Sequence, residues 1–508
     1  MRNSASLKAD SSRREMFYVC VLILAVLAVN LLTGSRCPAV WIDEAAYTDP
    51  AWNLHLGQGF TSSAWYAQAG DEFWAGNVPL HSALLYLWTG LFGFSVLAVR
   101  AMNYVLISAA AVLLWLAVRR HGLIGRPEYR LALIALMLLG FGVCFSYRSG
   151  RPDAVCILLA SSSALAYSIS NRPVRLIAVG GLGVLFPIAG LQLLVYAALL
   201  SLLLLPWLRT RFLGEAIVLG LGCTAGVGVL FAFYTWHGVW GDFLASTIGR
   251  HSAAGQEGLA ARLGQLRIPG GLKDPSFLLV LVTILGLARW ATVRRRMHWR
   301  SPLGFAVASG LAIPSILYLL RGQYPCYYAW MAYLPACVCL CSELAARRPR
   351  LTPMGGLVMP SLLLVLAGLV GLPFVTGLTL LQWTDRDYRN VEGLVEGRLG
   401  PDDVVYCDGA AYYAAKKRAS VETGRRHLAA MTPRQKAGIS AVVVDPAAMG
   451  TIQEMLGGQW EPCGEALRPA RPLAWQVRSE YFLDQYALQV FRRRSSWASR
   501  RSREEAVR

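Results

Sequence analysis

Two adjacent carboxylates, Asp43 and Glu44, follow closely on an apolar block over 16–32. A carboxylate at the rim of a partly dry cavity binds its proton more tightly, and can take one from an incoming hydroxyl or amine. The same position suits a plainer task, with Asp43 capping the free N–H groups of a helix over 44–56. Position alone leaves both readings open. A second cluster reads Tyr147-Arg148-Ser149-Gly150-Arg151-Pro152-Asp153 between two apolar blocks. Two arginines there can grip a phosphate through paired N–H donors, or else reach toward lipid headgroups while Asp153 caps the next helix. A third, Arg321-Gly322-Gln323-Tyr324-Pro325 with Tyr327 and Tyr328, sets another arginine among aromatics. Asp71 and Glu72 form a second acidic pair, which with Asp43 and Glu44 would make an oxygen site for a divalent cation.

The elements that must hold these residues are apolar helices. The 508 residues are 55% hydrophobic and only 16% charged, where soluble domains carry about 25% charged residues. The apolar residues come in blocks long enough to cross hydrocarbon as helices. Reading block by block places about eleven spans, near 16–34, 96–118, 129–146, 152–170, 174–187, 189–207, 212–236, 275–293, 302–320, 326–345 and 357–381. The stretch over 78–92 is apolar and amphipathic, suited to lying along the membrane surface.

Charge sets the direction. The chain carries 49 Lys+Arg against 30 Asp+Glu, a net charge of +19. These residues sit in short clusters between apolar blocks rather than on one basic face, which argues for orientation in a membrane and against nucleic acid. Arg13-Arg14, Arg119/Arg120/Arg126/Arg130, Arg172/Arg175, Arg209/Arg211, Arg294-Arg295-Arg296 and Arg347-Arg348 all fall on one side, expected to be cytoplasmic. The loop over 35–95, the three charged clusters and everything after 382 then face outward. The expected organisation is a cytoplasmic tail over 1–15, a membrane domain over 16–381, an extracytoplasmic domain over 385–491 and a basic tail over 492–508.

In that outer part, 403–408, 441–445 and 486–491 read as strands, the first two buried and the third alternating, with helical or turn material between. It reads as a small α/β domain with no Gly-rich phosphate loop. None of the eleven cysteines has zinc-like spacing. Cys407 and Cys463 lie in the outer segment and can pair if it is extracytoplasmic.

The order of features resembles a known family. An acidic pair after the first helix, followed by the block from Asn77-Val78-Pro79-Leu80-His81 to Arg100, looks like a conserved block of the GT-C membrane glycosyltransferases. Within that superfamily it is similar to the dolichyl-phosphate-mannose protein mannosyltransferases and the aminoarabinose transferase of lipid A. The segment from Tyr147 to Asp153 and the helix from Tyr328 resemble two further elements of those proteins, so that the likeness covers about 35–345.

The resemblance implies a GT-C type membrane domain with an outer α/β domain, in the cell (inner) membrane. It also implies an enzyme that moves a sugar from a polyprenyl-phosphate donor to a glycan, lipid or protein acceptor at the outer face. By the same resemblance Asp43 is the base and Glu44 its companion, Asp71 or Glu72 a second acidic element, and His81 part of the substrate-binding block. Arg148, Arg151 and Arg321 hold the phosphate beside Asp153, and Tyr324 and Tyr328 line the sugar or lipid path. Displacement at the anomeric carbon would then invert configuration in one step, much as inverting glycosidases use a base on the incoming nucleophile. No cofactor is expected: a divalent cation belongs to the oligosaccharide-transferring branch, and the monosaccharide-transferring branch generally lacks one. The block departs from the family pattern where Asn77-Val78 stands in place of a basic residue and a proline, which leaves phosphate binding to the arginines. A transporter or flippase of lipid-linked intermediates is the competing expectation. It calls for internal repeats and broken mid-membrane helices in matching halves; no such repeat is evident in the sequence, and the charges cluster at one face rather than along a path. A membrane scaffold without activity is a third.

Overall fold

The computed structural model of the chain describes residues 2–65, 68, 70–204, 213–249, 326–346, 369–469 and 485–494, with isolated positions between 282 and 366. The first helix, α1 (Arg2–Thr33), leads to a loop and to α2 (Ile42–His55) and α3 (Leu80–Phe92). Then come α4 (Val96–Arg120), α5 (Pro127–Leu139), α6 (Phe141–Arg148), α7 (Asp153–Ala166), α8 (Arg172–Ala189), α9 (Gln192–Leu204) and α10 (Leu213–Trp236). Beyond them α11 (Trp330–Ala345) and α12 (Leu372–Leu381) complete the described apolar helices.

The chain is a multi-pass membrane protein: α4, α8, α10 and the Ser12–Thr33 part of α1 are each long and apolar enough to cross a membrane. The expected span at 129–146 is instead a broken one, α5 and α6 meeting at 49° across Gly140, whose backbone is extended. Shorter apolar helices stand where spans were expected at 152–170 and 326–345. Spans expected at 275–293 and 302–320, and the first part of that at 357–381, fall outside the described residues apart from isolated positions.

At one end of the bundle lie acid–base pairs that close its loops. Glu15 accepts from Arg130 at 2.6 Å and from the Trp115 indole at 2.7 Å, and Arg175 reaches Glu215 at 2.7 Å. The other end carries α2, α3 and a five-stranded sheet in the order β2-β1-β3-β5-β4. In it β1 (Val404–Cys407) lies parallel to both β2 (Ser420–Thr423) and β3 (Ala441–Val444). The remaining strands, β4 (Trp460–Pro462) and β5 (Gln489–Arg493), run antiparallel. The sheet bears out the expected α/β character, while β2 and β4 were not foreseen and β5 begins three residues later than expected. Short strands with few alternating positions give little period to read. Cys407 is buried on β1, and both it and Cys463 are free thiols.

One hydrophobic core fills the bundle. A second joins the membrane part to the sheet domain, packing Ala39, Val40, Ala45 and Leu85 together with Val405, Tyr412, Tyr413 and Val443. The sheet domain is therefore seated on α2 and α3.

Candidate functional site

Trp41 is extended (φ −126°, ψ 166°), so α2 begins at Ile42 and both acids fall in its first turn, where the helix dipole favours negative charge. Asp43 does not cap the helix, and no side chain does. The two carboxylates leave α2 in different directions.

Glu44 points inward and is fully buried. Arg100 meets it with a two-bond fork, Nε to Oε1 at 2.9 Å and Nη2 to Oε2 at 2.7 Å. Arg100 stands in the second turn of α4, whose start is fixed by Ser95 Oγ accepting from the Ala98 amide at 3.1 Å. Its Nη1 also donates to the carbonyls of Gly34 (2.6 Å) and Pro38 (2.8 Å), tying the end of α1 and the following loop to the same guanidinium. Burial pushes the Glu44 carboxyl up from its ordinary value, with Arg100 pulling the other way. Gly150 lies against Glu44 at φ +62°, and a Cβ there would come within 2.5 Å of Glu44 Cγ. Only glycine fits both that backbone and that gap.

Arg148 is also fully buried. It donates to Asn30 Oδ1, to Thr33 Oγ1 at 3.1 Å and to the carbonyl of Cys37 at 2.6 Å, so it closes the open carbonyl end of α1. His81 accompanies this inner layer, its Nε2 donating to the Gly150 carbonyl at 3.0 Å. Burial holds its pKa down to about 4, and the ring is neutral.

Asp43 points the other way. Its side chain keeps 31% of its exposure, and Arg151 Nη1 donates to Oδ2. Arg151 Nε holds Asp153 Oδ2 at 3.0 Å, and Asp153 takes a second bond from the Trp330 indole at 3.3 Å. Asp153 therefore serves the arginine, and no side chain caps α7. The Arg151 guanidinium lies 3.5 Å from the centre of the Tyr327 ring, with Trp41 at 5.3 Å and Tyr47 at 5.9 Å. Asn77, at the point where the block departs from the family, donates to the Tyr47 hydroxyl at 2.8 Å.

Of the residues expected at a site, the structure brings Asp43, Glu44, His81, Arg148, Arg151 and Asp153 together. Tyr328 is buried beside them against Tyr327. Asp71 and Glu72 are exposed on the loop, and among the described residues no three or more of His, Cys, Asp and Glu are arranged to hold a metal ion. Arg321 and Tyr324 lie outside the described residues. Sequence reasoning did not single out Tyr47, and it named Arg100 and Tyr327 only as parts of longer stretches, with no role at the site. Arg100 carried a signal, since a lone charge early in an apolar helix needs a partner; the two tyrosines look like ordinary interface aromatics.

The sheet domain reaches the same place. Asp49 on α2 is fully buried and takes bonds from Ser62 (3.0 Å), the Ser63 amide (2.8 Å) and the Tyr412 hydroxyl (2.6 Å), with Lys416 Nζ at 3.0 Å. Thr48 and Tyr413 share a hydrogen bond at 3.0 Å. Gly409, just past β1, packs so closely that a Cβ would stand 2.6 Å from the Ile42 nitrogen. The N-terminal turn of α2 is thus held from the bundle side by Arg100 and from the other side by the sheet domain.

Chemically, the rim offers a partly exposed carboxylate beside a guanidinium framed by aromatic faces, a pairing suited to proton transfer next to a bound anion.

No protein-family model matches the chain, and no curated protein is similar to it in sequence. Among solved structures, ArnT from Cupriavidus metallidurans bound to undecaprenyl phosphate aligns over 93% of this chain and 97% of its own, with 11% identity and a TM-score of 0.53. Arabinofuranosyltransferase AftD from Mycobacteria aligns over 94% of this chain and 40% of its own, at 17% identity and a TM-score of 0.45. The oligosaccharyltransferase of Archaeoglobus fulgidus tethered with an acceptor peptide aligns over 87% and 70%, at 12% identity and a TM-score of 0.46. The likeness to ArnT over nearly all of both chains shows a shared fold, the GT-C membrane fold that the sequence blocks led us to expect.

Proposed function

We propose that the chain is a glycosyltransferase that moves a sugar from a polyprenyl-phosphate donor to an acceptor at the end of the bundle bearing the sheet domain, on the outer face of the cell membrane. The observation that carries this reading is the rim pair: Asp43 is partly exposed and sits against Arg151 among aromatic rings.

Asp43 takes the proton of the acceptor hydroxyl or amine as that group attacks the anomeric carbon. The bond from that carbon to the phosphate oxygen breaks, its electron pair leaves with the lipid phosphate, and configuration inverts. Arg151 meets the charge that develops on the leaving phosphate, so no acid is needed there. Glu44 and Arg148 hold the site without touching substrate, since each is sealed inside the protein, Glu44 on Arg100 and Arg148 on the end of α1. The lipid tail lies along the exposed apolar faces of the helices, and ArnT with its bound undecaprenyl phosphate offers the structural parallel. No cofactor enters the step.

The test is transfer from a labelled polyprenyl-phosphate sugar by the purified full chain in nanodiscs. Asp43→Asn is expected to lose about 10²–10⁴-fold in kcat, the usual contribution of a positioned base. Full activity in Asp43→Asn would remove Asp43 from the mechanism. Label that crosses a liposome membrane with no new glycosidic bond would favour transport instead.

A further inference from the structure

Arg151 is held by two carboxylates that are unlike. Asp153 is fully buried and has a second donor in Trp330. Asp43 is 31% exposed, and among the described residues its carboxylate has no hydrogen-bond donor other than Arg151. The guanidinium itself is clamped from a third side by the Tyr327 ring at 3.5 Å. If Asp43 moved away, Nε would still lie on Asp153 and the plane would still rest on Tyr327. Nη1 alone would be vacated, and Nη2 already has no hydrogen-bond partner among the described residues. Two adjacent donors on one edge match the spacing of two oxygens of a phosphate.

We infer that Asp43 and the donor phosphate compete for Arg151. On this inference, which rests on the glycosyltransferase reading, the arriving phosphate takes Nη1 and Nη2, and Asp43 is released toward the exposed side to act as base. The exchange is even in charge, because one singly charged anion, the donor phosphodiester, replaces another on the same guanidinium. It also orders the reaction. While Arg151 Nη1 occupies Asp43 Oδ2, that oxygen is not free to meet the acceptor's proton, so the base becomes available only when a donor is in place. Asp153 and Tyr327 are positioning residues that keep the guanidinium still during the exchange.

The experiment measures binding of a polyprenyl phosphate to the full chain in zwitterionic nanodiscs, with neutral polyprenol and inorganic phosphate as comparison probes and sugar transfer recorded in parallel. Asp43→Asn removes the competing charge at almost constant shape, and is expected to bind polyprenyl phosphate about tenfold more tightly than the wild type while transferring almost nothing. Polyprenol should bind both proteins equally. Inorganic phosphate should show the same gain at lower affinity, and a gain with inorganic phosphate alone would overturn the assignment to a lipid-linked phosphate. Tyr327→Leu should raise the donor KM about tenfold with kcat little changed, and Tyr327→Phe should restore it; equal effects of the two would remove the positioning role. Wild-type binding and transfer without tighter binding by Asp43→Asn would overturn the competition and leave the enzyme reading standing. A wild type that neither binds polyprenyl phosphate nor transfers sugar would overturn both.

Discussion

The inner layer around Glu44 and the rim around Asp43 each join a carboxylate to arginine, with the two acids adjacent on α2 and Arg148 and Arg151 only three residues apart. In the inner layer Glu44 meets Arg100 through two bonds, Arg148 closes the end of α1, and none of the three is exposed. At the rim the neighbouring acid meets an arginine three residues from Arg148 and remains partly open. Sequence position therefore says little about which charge is structural. Burial decides it: Glu44, with both oxygens on Arg100 and no exposure, has nothing to offer a substrate, whereas the partly open Asp43 has a free edge.

The contrast is testable, most strongly at its buried end. Arg100→Met leaves Glu44 buried without its partner and is expected to cost about 3–5 kcal/mol, read as a large drop in thermal stability of the detergent-solubilised chain. A stable Arg100→Met protein would break the comparison. Acid should expose the same layer. His81 titrates at about 4 when folded against an ordinary 6.5. Below pH 6.5 the unfolded chain takes up a proton that the folded chain refuses, so stability contributed at neutral pH is lost as pH falls between these values. The loss reaches about 3 kcal/mol near pH 4. The difference in acid sensitivity between wild type and His81→Gln measures it, and identical acid limbs would place His81 outside the buried layer. Gly150→Ala drives a methyl group into Glu44 at a positive φ and is expected to cost about 1–3 kcal/mol; a neutral result would mean that the contact with Glu44 is loose. The smallest effect on stability belongs to the rim, where Asp43→Asn should stay within about 0.5 kcal/mol of the wild type even as transfer is lost. A large destabilisation by Asp43→Asn would merge the two layers into one structural cluster.

Much of the membrane part could be read from the chain because apolar blocks need no partner to be recognised. The spans expected at 96–118 and 212–236 match α4 (Val96–Arg120) and α10 (Leu213–Trp236) to within two residues. The break at Gly140 escaped because the apolar run continues across it while only the backbone changes direction. Members of the site were also legible, since charge beside apolar helices asks for a reason. Their division into layers was not. It depends on pairings far apart in sequence, as between Glu44 and Arg100 or Asp49 and Lys416, and local pattern carries no trace of them. Arg148 and Arg151 look alike in the sequence, and only the path of α1 separates them.

The carboxyl ends of parallel strands are where open α/β sheets ordinarily take up their ligands. Here Gly409, just beyond that end of β1, is pressed onto Ile42, and the Thr423 amide, at that end of β2, donates to the Ser63 carbonyl at 3.0 Å. The sheet domain thus spends its natural docking edge on a stretch of its own chain, as a receptor spends its pocket on a tethered peptide. Such a domain is not interchangeable. Transplanting it onto another membrane bundle would strip Gly409 of Ile42 and the Thr423 amide of Ser63 unless that stretch of chain came with it.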